Sequence, residues 1–132
     1  MLSDRAEAPV ASRILVVDDE AGMRRSLAIM LRRAHYEVTE TASVAEAVGR
    51  LKGESYNLII ADLMMEPLNG LDLLPLARKY QPDCPIIIVT AFGSSEARSE
   101  ALRMGAADFF DKPVEASALL QRIVEVLRQK EA

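Results

Sequence analysis

The sequence predicts an α/β domain built on a doubly wound, five-stranded parallel sheet with helices on both faces. Two observations lead there. Five short apolar runs, several rich in Val and Ile, are separated by segments of helical periodicity. A strand followed each time by a crossover helix gives parallel pairing, and right-handed crossovers cover both sides of the sheet. The simplest closure of five such units is the strand order 2-1-3-4-5, whose ligand site lies at the carboxyl ends of the strands beside the switch point.

The elements follow in order. Residues 1–11, from "MLSDRAEAPVAS", are small, polar and Pro-containing and read as a disordered leader, leaving 12–132 as the domain. "RILVV" (13–17) is the first strand. Met23, Leu27, Met30, Leu31 and Ala34 form one face of the first helix. "YEVTE" (36–40) is the second strand, and Val44, Ala47, Val48 and Leu51 mark the second helix, opened by a capping box of Ser43 and Glu46. "NLIIA" (57–61) is continuously apolar from Leu58, as a strand buried on both faces should be. Leu73, Leu76, Ala77 and Tyr80 face the core from the third helix, where Asp72 as N-cap would put Pro75 in the tolerant first turn. "PIIIV" (85–89) is the fourth strand. The fourth helix offers only Ala97, Ala101 and Met104, and Gly105 ends it as the C′ residue. "ADFF" (107–110) closes the sheet, and Ala116, Leu120, Ile123, Val124 and Leu127 stripe the fifth helix. Leu119 and Val126 fall off that stripe and suggest a contact surface.

A net charge of −4 and the lack of a basic block argue against general affinity for nucleic acid or anionic membrane. One cysteine, Cys84, allows neither an intramolecular disulfide nor a Cys-based zinc site, and it reads as a half-buried structural thiol. No apolar run reaches membrane-spanning length and no signal-type h-region is present, so the expected location is the cytoplasm.

The strand ends carry the chemistry. Strand one ends in Asp18 and Asp19, strand three in Asp62 and strand four in Thr90, while Lys112 follows strand five. Strands one and three are neighbours at the switch point, so three carboxylates are expected in one cleft. Clustered carboxylates repel unless a cation sits among them, and hard oxygen donors without His or Cys suit Mg²⁺. Lys112 adds a mobile ammonium and Thr90 a hydroxyl. His35 lies at the far end of helix one, so no general base serves the cleft. The inventory fits phosphoryl transfer to an ionised carboxylate, which needs no deprotonation.

In "ILVVDDE", "LIIADLMM" with Gly70 following, "IIIVTA" and "GAADFFDKP", in this order and spacing, the chain resembles the receiver domain of two-component response regulators. The resemblance covers residues 13–128 and implies a flavodoxin-like, CheY-like fold. It implies that Asp62 is phosphorylated by a histidine kinase, with Mg²⁺ bound by Asp19, Asp62 and the Met64 backbone carbonyl, and Asp18 acting mostly through water. Lys112 would bridge Asp62 and the phosphoryl group, Thr90 would swing inward, and Phe109 stands at the aromatic switch position. Because Phe109 lacks a hydroxyl, a buried inward ring is favoured. The resemblance also implies a cis Lys112–Pro113 bond and dimerisation through helix 4, strand 5 and helix 5. "DLMMEPLNGLDLL" is similar to receivers of enhancer-binding, NtrC-like activators, so the output would be transcriptional, with no direct nucleic-acid binding by this domain. Glu66 and then Pro67 stand where the family has Pro four residues after the acceptor.

Plainer readings stand beside these. Asp18 and Asp19 could cap helix one. Arg24, Arg25, Arg32 and Arg33 read as a solvated helix face, with kinase docking by the first pair as the alternative. An Asp-nucleophile phosphatase would need a second acid two residues after Asp62, where Met64 stands. A phosphorylation-independent interaction module remains the alternative function.

Overall fold

The structure, a computed structural model, describes residues 11–131. The proposed leader, Ala11 excepted, lies outside the described residues. The chain runs β1 (Arg13–Val17), α1 (Ala21–Arg33), β2 (Glu37–Thr41), α2 (Val44–Gly53), β3 (Leu58–Ala61), α3 (Gly70–Tyr80), β4 (Ile86–Thr90), α4 (Ser95–Arg103), β5 (Asp108–Asp111) and α5 (Ala116–Glu131). The strands form one parallel sheet in the order β2-β1-β3-β4-β5, as the alternation of elements predicts. No helix among the described residues is long and apolar enough to cross a membrane.

Strand side chains alternate between two cores. Leu15, Val17, Ile59, Ala61, Ile86, Ile88 and Phe109 pack on one face with α2, α3 and α4. Ile14, Val16, Leu58, Ile60, Ile87 and Val89 pack on the other with α1 and α5. On α5 the structure corrects the sequence reading. Leu119, Ile123 and Val126 are the buried face, whereas Ala116 and Val124 are exposed and Leu120 and Leu127 half-buried. Leu119 and Val126 are therefore core and offer no contact surface. On α1 the buried residues are Ala28 and Leu31, and Met23 is exposed.

Helix ends show where local chemistry decides. Glu20, rather than Asp18 or Asp19, caps α1, its side chain accepting from Met23 N at 2.6 Å. His35 follows α1, exposed and with φ 73°. Ser43 accepts from Glu46 N, but Glu46 Oε1 accepts in return from Ala42 N, one residue before the cap. Asn69, rather than Asp72, caps α3. Its Oδ1 accepts from Leu71 N and Asp72 N, and Asp72 Oδ2 accepts from Asn69 N. Pro75 thus lies in the second turn on the exposed side, where its missing N–H leaves the Leu71 carbonyl without its helical donor. Gly105 ends α4 with φ 105°, as predicted.

Gly70 explains how α3 meets the sheet. A Cβ there would stand 2.5 Å from the Asp62 carbonyl oxygen and 3.1 Å from Leu63 Cα, so only glycine lets the helix start against this backbone. Gly70→Ala is expected to cost about 1–3 kcal/mol of stability, the usual price range of overpacking that backbone must absorb. Gly49→Ala is the control, because nothing lies within 4 Å of its Cβ position. Urea unfolding should show the first variant weakened and the second unchanged or stabilised; equal midpoints would remove Gly70 from this role.

Candidate functional site

The sheet's own ladder assembles the site. Asp18 N donates to Thr41 O at 3.1 Å, Asp62 N to Val17 O at 2.9 Å and Lys112 N to Thr90 O at 2.8 Å. Each functional residue is thus the next rung beyond a strand, and all three lie along the carboxyl edge. Lys112 Nζ donates to Asp18 Oδ2 at 2.9 Å and to Asp62 Oδ2 at 2.8 Å. The remaining oxygens are held by local turns: Asp18 Oδ1 accepts from Glu20 N at 2.9 Å, and Asp62 Oδ1 from Met64 N at 3.0 Å. Asp18 and Asp62 are buried to 4% and 9% exposure. Burial alone would lower the Lys112 pKa; the bonds and charges of Asp18 and Asp62 outweigh it and raise the pKa above its ordinary value.

Asp19, two residues beyond the end of β1, is exposed. The structure therefore brings together two of the three expected carboxylates, with Lys112 between them. Among the described residues no three His, Cys, Asp or Glu side chains are grouped to enclose a metal. Thr90, expected to add a hydroxyl to the cleft, is fully buried, and its hydroxyl accepts from Phe92 N at 3.2 Å. Met64 and Phe92, each two residues beyond a site residue, are 52% and 72% exposed.

Phe109 is buried at 3% exposure, the inward ring that its missing hydroxyl favours. Sequence reasoning missed what holds it there. A Cβ on Gly93 would lie 2.8 Å from Phe109 Cε1, so this glycine provides the ring's clearance. Arg98, on α4, donates to Phe109 O at 2.8 Å and stands 5.9 Å from the ring centroid. Lys112–Pro113 is cis, as expected, and so is Glu66–Pro67.

An apolar recess of about 150 Å³ adjoins the acids between α1 and α5, lined by Met23, Leu27, Met30, Val114 and Leu119 among others. A larger cavity of about 590 Å³ opens at the opposite end of the sheet, beside Asn57, Pro85 and Gly105, and none of the site residues reaches it. Cys84 borders that cavity; burial pushes its thiol up to about 12, so it is no nucleophile at neutral pH. Two buried carboxylates against one ammonium leave a negative charge. With Asp19 and the Met64 carbonyl nearby in the chain, the donors are all hard oxygens. Such a set fits Mg²⁺, which takes few protein ligands and keeps several waters.

Known proteins are similar to this chain in sequence and in fold. The chain is 36% identical over 118 residues to the transcriptional regulatory protein GlrR of Escherichia coli (strain K12), a match covering 89% of this chain and 27% of GlrR. It is 35% identical over 121 residues to the chemotaxis protein CheY of Thermotoga maritima, covering 91% of this chain and 98% of that one. The crystal structure of a response regulator receiver domain protein (CheY-like) from Methanospirillum hungatei JF-1 superposes with a TM-score of 0.88 at 33% identity, over 92% of this chain and 98% of the other. The Response regulator receiver domain family matches residues 14–124. That span takes in Asp18, Asp62, Thr90 and Lys112 as well as most of both cores, and the chain belongs to the response regulator receiver domain family of two-component systems.

Proposed function

We propose that Asp62 accepts a phosphoryl group from a histidine kinase in a Mg²⁺-dependent step, making the domain a cytoplasmic switch for an output that, by likeness to GlrR, is transcriptional. The observation that carries this is the Asp62 carboxylate itself, buried, with one oxygen accepting from Met64 N and the other from Lys112 Nζ. A carboxylate oxygen of Asp62 forms the new O–P bond as the P–N bond to the kinase histidine breaks, and the electron pair returns to the imidazole. Mg²⁺, held by Asp19, Asp62 and the Met64 carbonyl with Asp18 acting through water, would supply positive charge against the phosphoryl oxygens. Lys112 keeps its hold on Asp18 while transferring its second bond from Asp62 to a phosphoryl oxygen.

Thr90 would convey the change. Its hydroxyl bonds the loop amide of Phe92, so turning it toward a phosphoryl group releases that amide and pulls the loop leading into α4. That helix is held loosely, with Ala101 its only buried residue, and it is tied to β5 by the Arg98 bond to the Phe109 carbonyl. The surface that changes is α4, β5 and α5, which would serve a homodimer of the activated form.

Incubation with acetyl phosphate and Mg²⁺ should place one acyl phosphate on Asp62 by mass spectrometry of the trapped adduct. Beryllofluoride with Mg²⁺ should then alter amide exchange chiefly in α4 and its flanking loops. A label on another residue, or changes centred on α2, would overturn the proposal.

A further inference from the structure

We infer that Arg24 is a positioning residue for the Mg²⁺ site, holding the Asp18–Asp19 peptide in place through a guanidinium that Glu40 in turn orients. The inference rests on the Mg²⁺ reading above and adds to it a residue outside the acidic cluster. Arg24 Nη1 donates to the Asp18 carbonyl at 2.8 Å, and Arg24 Nε stands 3.5 Å from Glu40 Oε1. Both side chains are largely enclosed, at 20% and 18% exposure, so the arrangement is a packed contact rather than a surface pair.

The contact completes the restraint on Asp18. Its N–H is fixed by Thr41 O, its Oδ1 by Glu20 N and its Oδ2 by Lys112, and the carbonyl is fixed by Arg24. That carbonyl belongs to the peptide leading into Asp19, the exposed acid whose direction nothing in the strand sets. A guanidinium on the carbonyl fixes the plane of this peptide and so the side from which the Asp19 carboxylate leaves it. Arg24 also brings a positive charge beside the paired acids without competing for their oxygens.

Glu40 serves as the anchor. Arg25 Nη1 and Arg32 Nη1 also reach its Oε2, at 2.9 and 3.2 Å, and Arg32 donates to Val38 O as well. Three of the four arginines of the α1 face read from sequence as solvated, Arg24, Arg25 and Arg32, thus meet one β2 carboxylate, and Arg24 is the member that bonds Asp18. Arg32 shares the Glu40 partner and makes a backbone bond of its own to Val38, which makes it the matched control.

Arg24→Ala, Arg24→Lys and Arg32→Ala in the full chain separate positioning from general support. The chain has no Trp, so Mg²⁺ binding is read by titration calorimetry, thermal midpoints are taken without metal, and Glu20 amide exchange is followed in metal-free protein. Arg24→Ala should weaken Mg²⁺ binding by about 10–100-fold, the range for residues that orient metal ligands, and should speed Glu20 exchange. Arg24→Lys should recover part of both, and Arg32→Ala should keep wild-type Mg²⁺ affinity even where its midpoint falls. Wild-type affinity in Arg24→Ala, or an equal loss in Arg32→Ala, would overturn the inference. Wild-type protein that binds no Mg²⁺ would instead sink the metal reading, and this inference with it.

Discussion

Asp62→Asn is expected to reduce acyl phosphate formation to background while leaving the fold intact. The amide matches the carboxylate in shape, and its oxygen can still accept from Met64 N, the bond that Asp62 Oδ1 makes at 3.0 Å. What it lacks is the charged oxygen that forms the bond to phosphorus, and among the described residues Asp18 is the only other carboxylate on Lys112. Asp18 is poorly suited to replace it, since one oxygen accepts from Glu20 N and the other from Lys112. The stability change should stay within about 1.5–3 kcal/mol, the worth of one charge-assisted hydrogen bond. The variant should also lose the beryllofluoride-dependent exchange changes in α4. Acetyl phosphate labelling, chemical denaturation and amide exchange test the three parts together; undiminished labelling in Asp62→Asn would move the acceptor elsewhere.

The sheet was legible because buried parallel strands are written as short Val- and Ile-rich runs, and periodicity then assigns the helices between them. Strand limits moved by one residue at β2, β3, β4 and β5, since a strand buried on both faces carries no alternation to mark its ends. In α5, apolar residues occupy 119, 120, 123, 124, 126 and 127, so two stripes satisfy helical spacing. Which one is buried depends on the rotation of the helix against β1, β3 and β4, and only the packed structure sets that.

The site divides along the same line. Asp18, Asp62 and Lys112 could be placed from sequence because the rule for strand ends needs only topology. The cap of α3 turned on a contest between Asn69 and Asp72, both good N-caps, and the close approach of Gly70 to the Asp62 carbonyl favours the earlier start. Thr90 bonding to Phe92, Gly93 clearing the Phe109 ring and Arg24 reaching Asp18 are contacts of side chains with particular backbone atoms. No spacing in the sequence encodes them.

Lys112→Met should destabilise the protein by about 3–5 kcal/mol at neutral pH, the cost of removing one partner from a buried ion cluster. The side chains concerned are 11%, 6% and 10% exposed for Lys112, Asp18 and Asp62, so water screens them little. Methionine fills similar space without charge, leaving two buried carboxylates facing each other with no cation. The sign of the pH dependence follows from the lysine. Its folded pKa lies above the ordinary 10.5, so its stabilisation is complete below that value and is lost as pH rises through the folded pKa. The gap between wild type and variant should therefore be constant through neutral pH and narrow as pH rises into the alkaline range. Mg²⁺ provides the discriminating arm. A divalent cation among the same acids replaces the missing charge, so saturating Mg²⁺ should raise the variant's midpoint more than the wild type's, by mass action on the folded state. Phosphorylation should remain depressed even then, because the cation restores stability but not the ammonium that follows the phosphoryl oxygen. Thermal unfolding across pH, with and without Mg²⁺, reads the first two effects and acetyl phosphate labelling the third. A variant as stable as wild type at neutral pH without metal would show that the Asp18–Lys112–Asp62 cluster does not hold the folded state together.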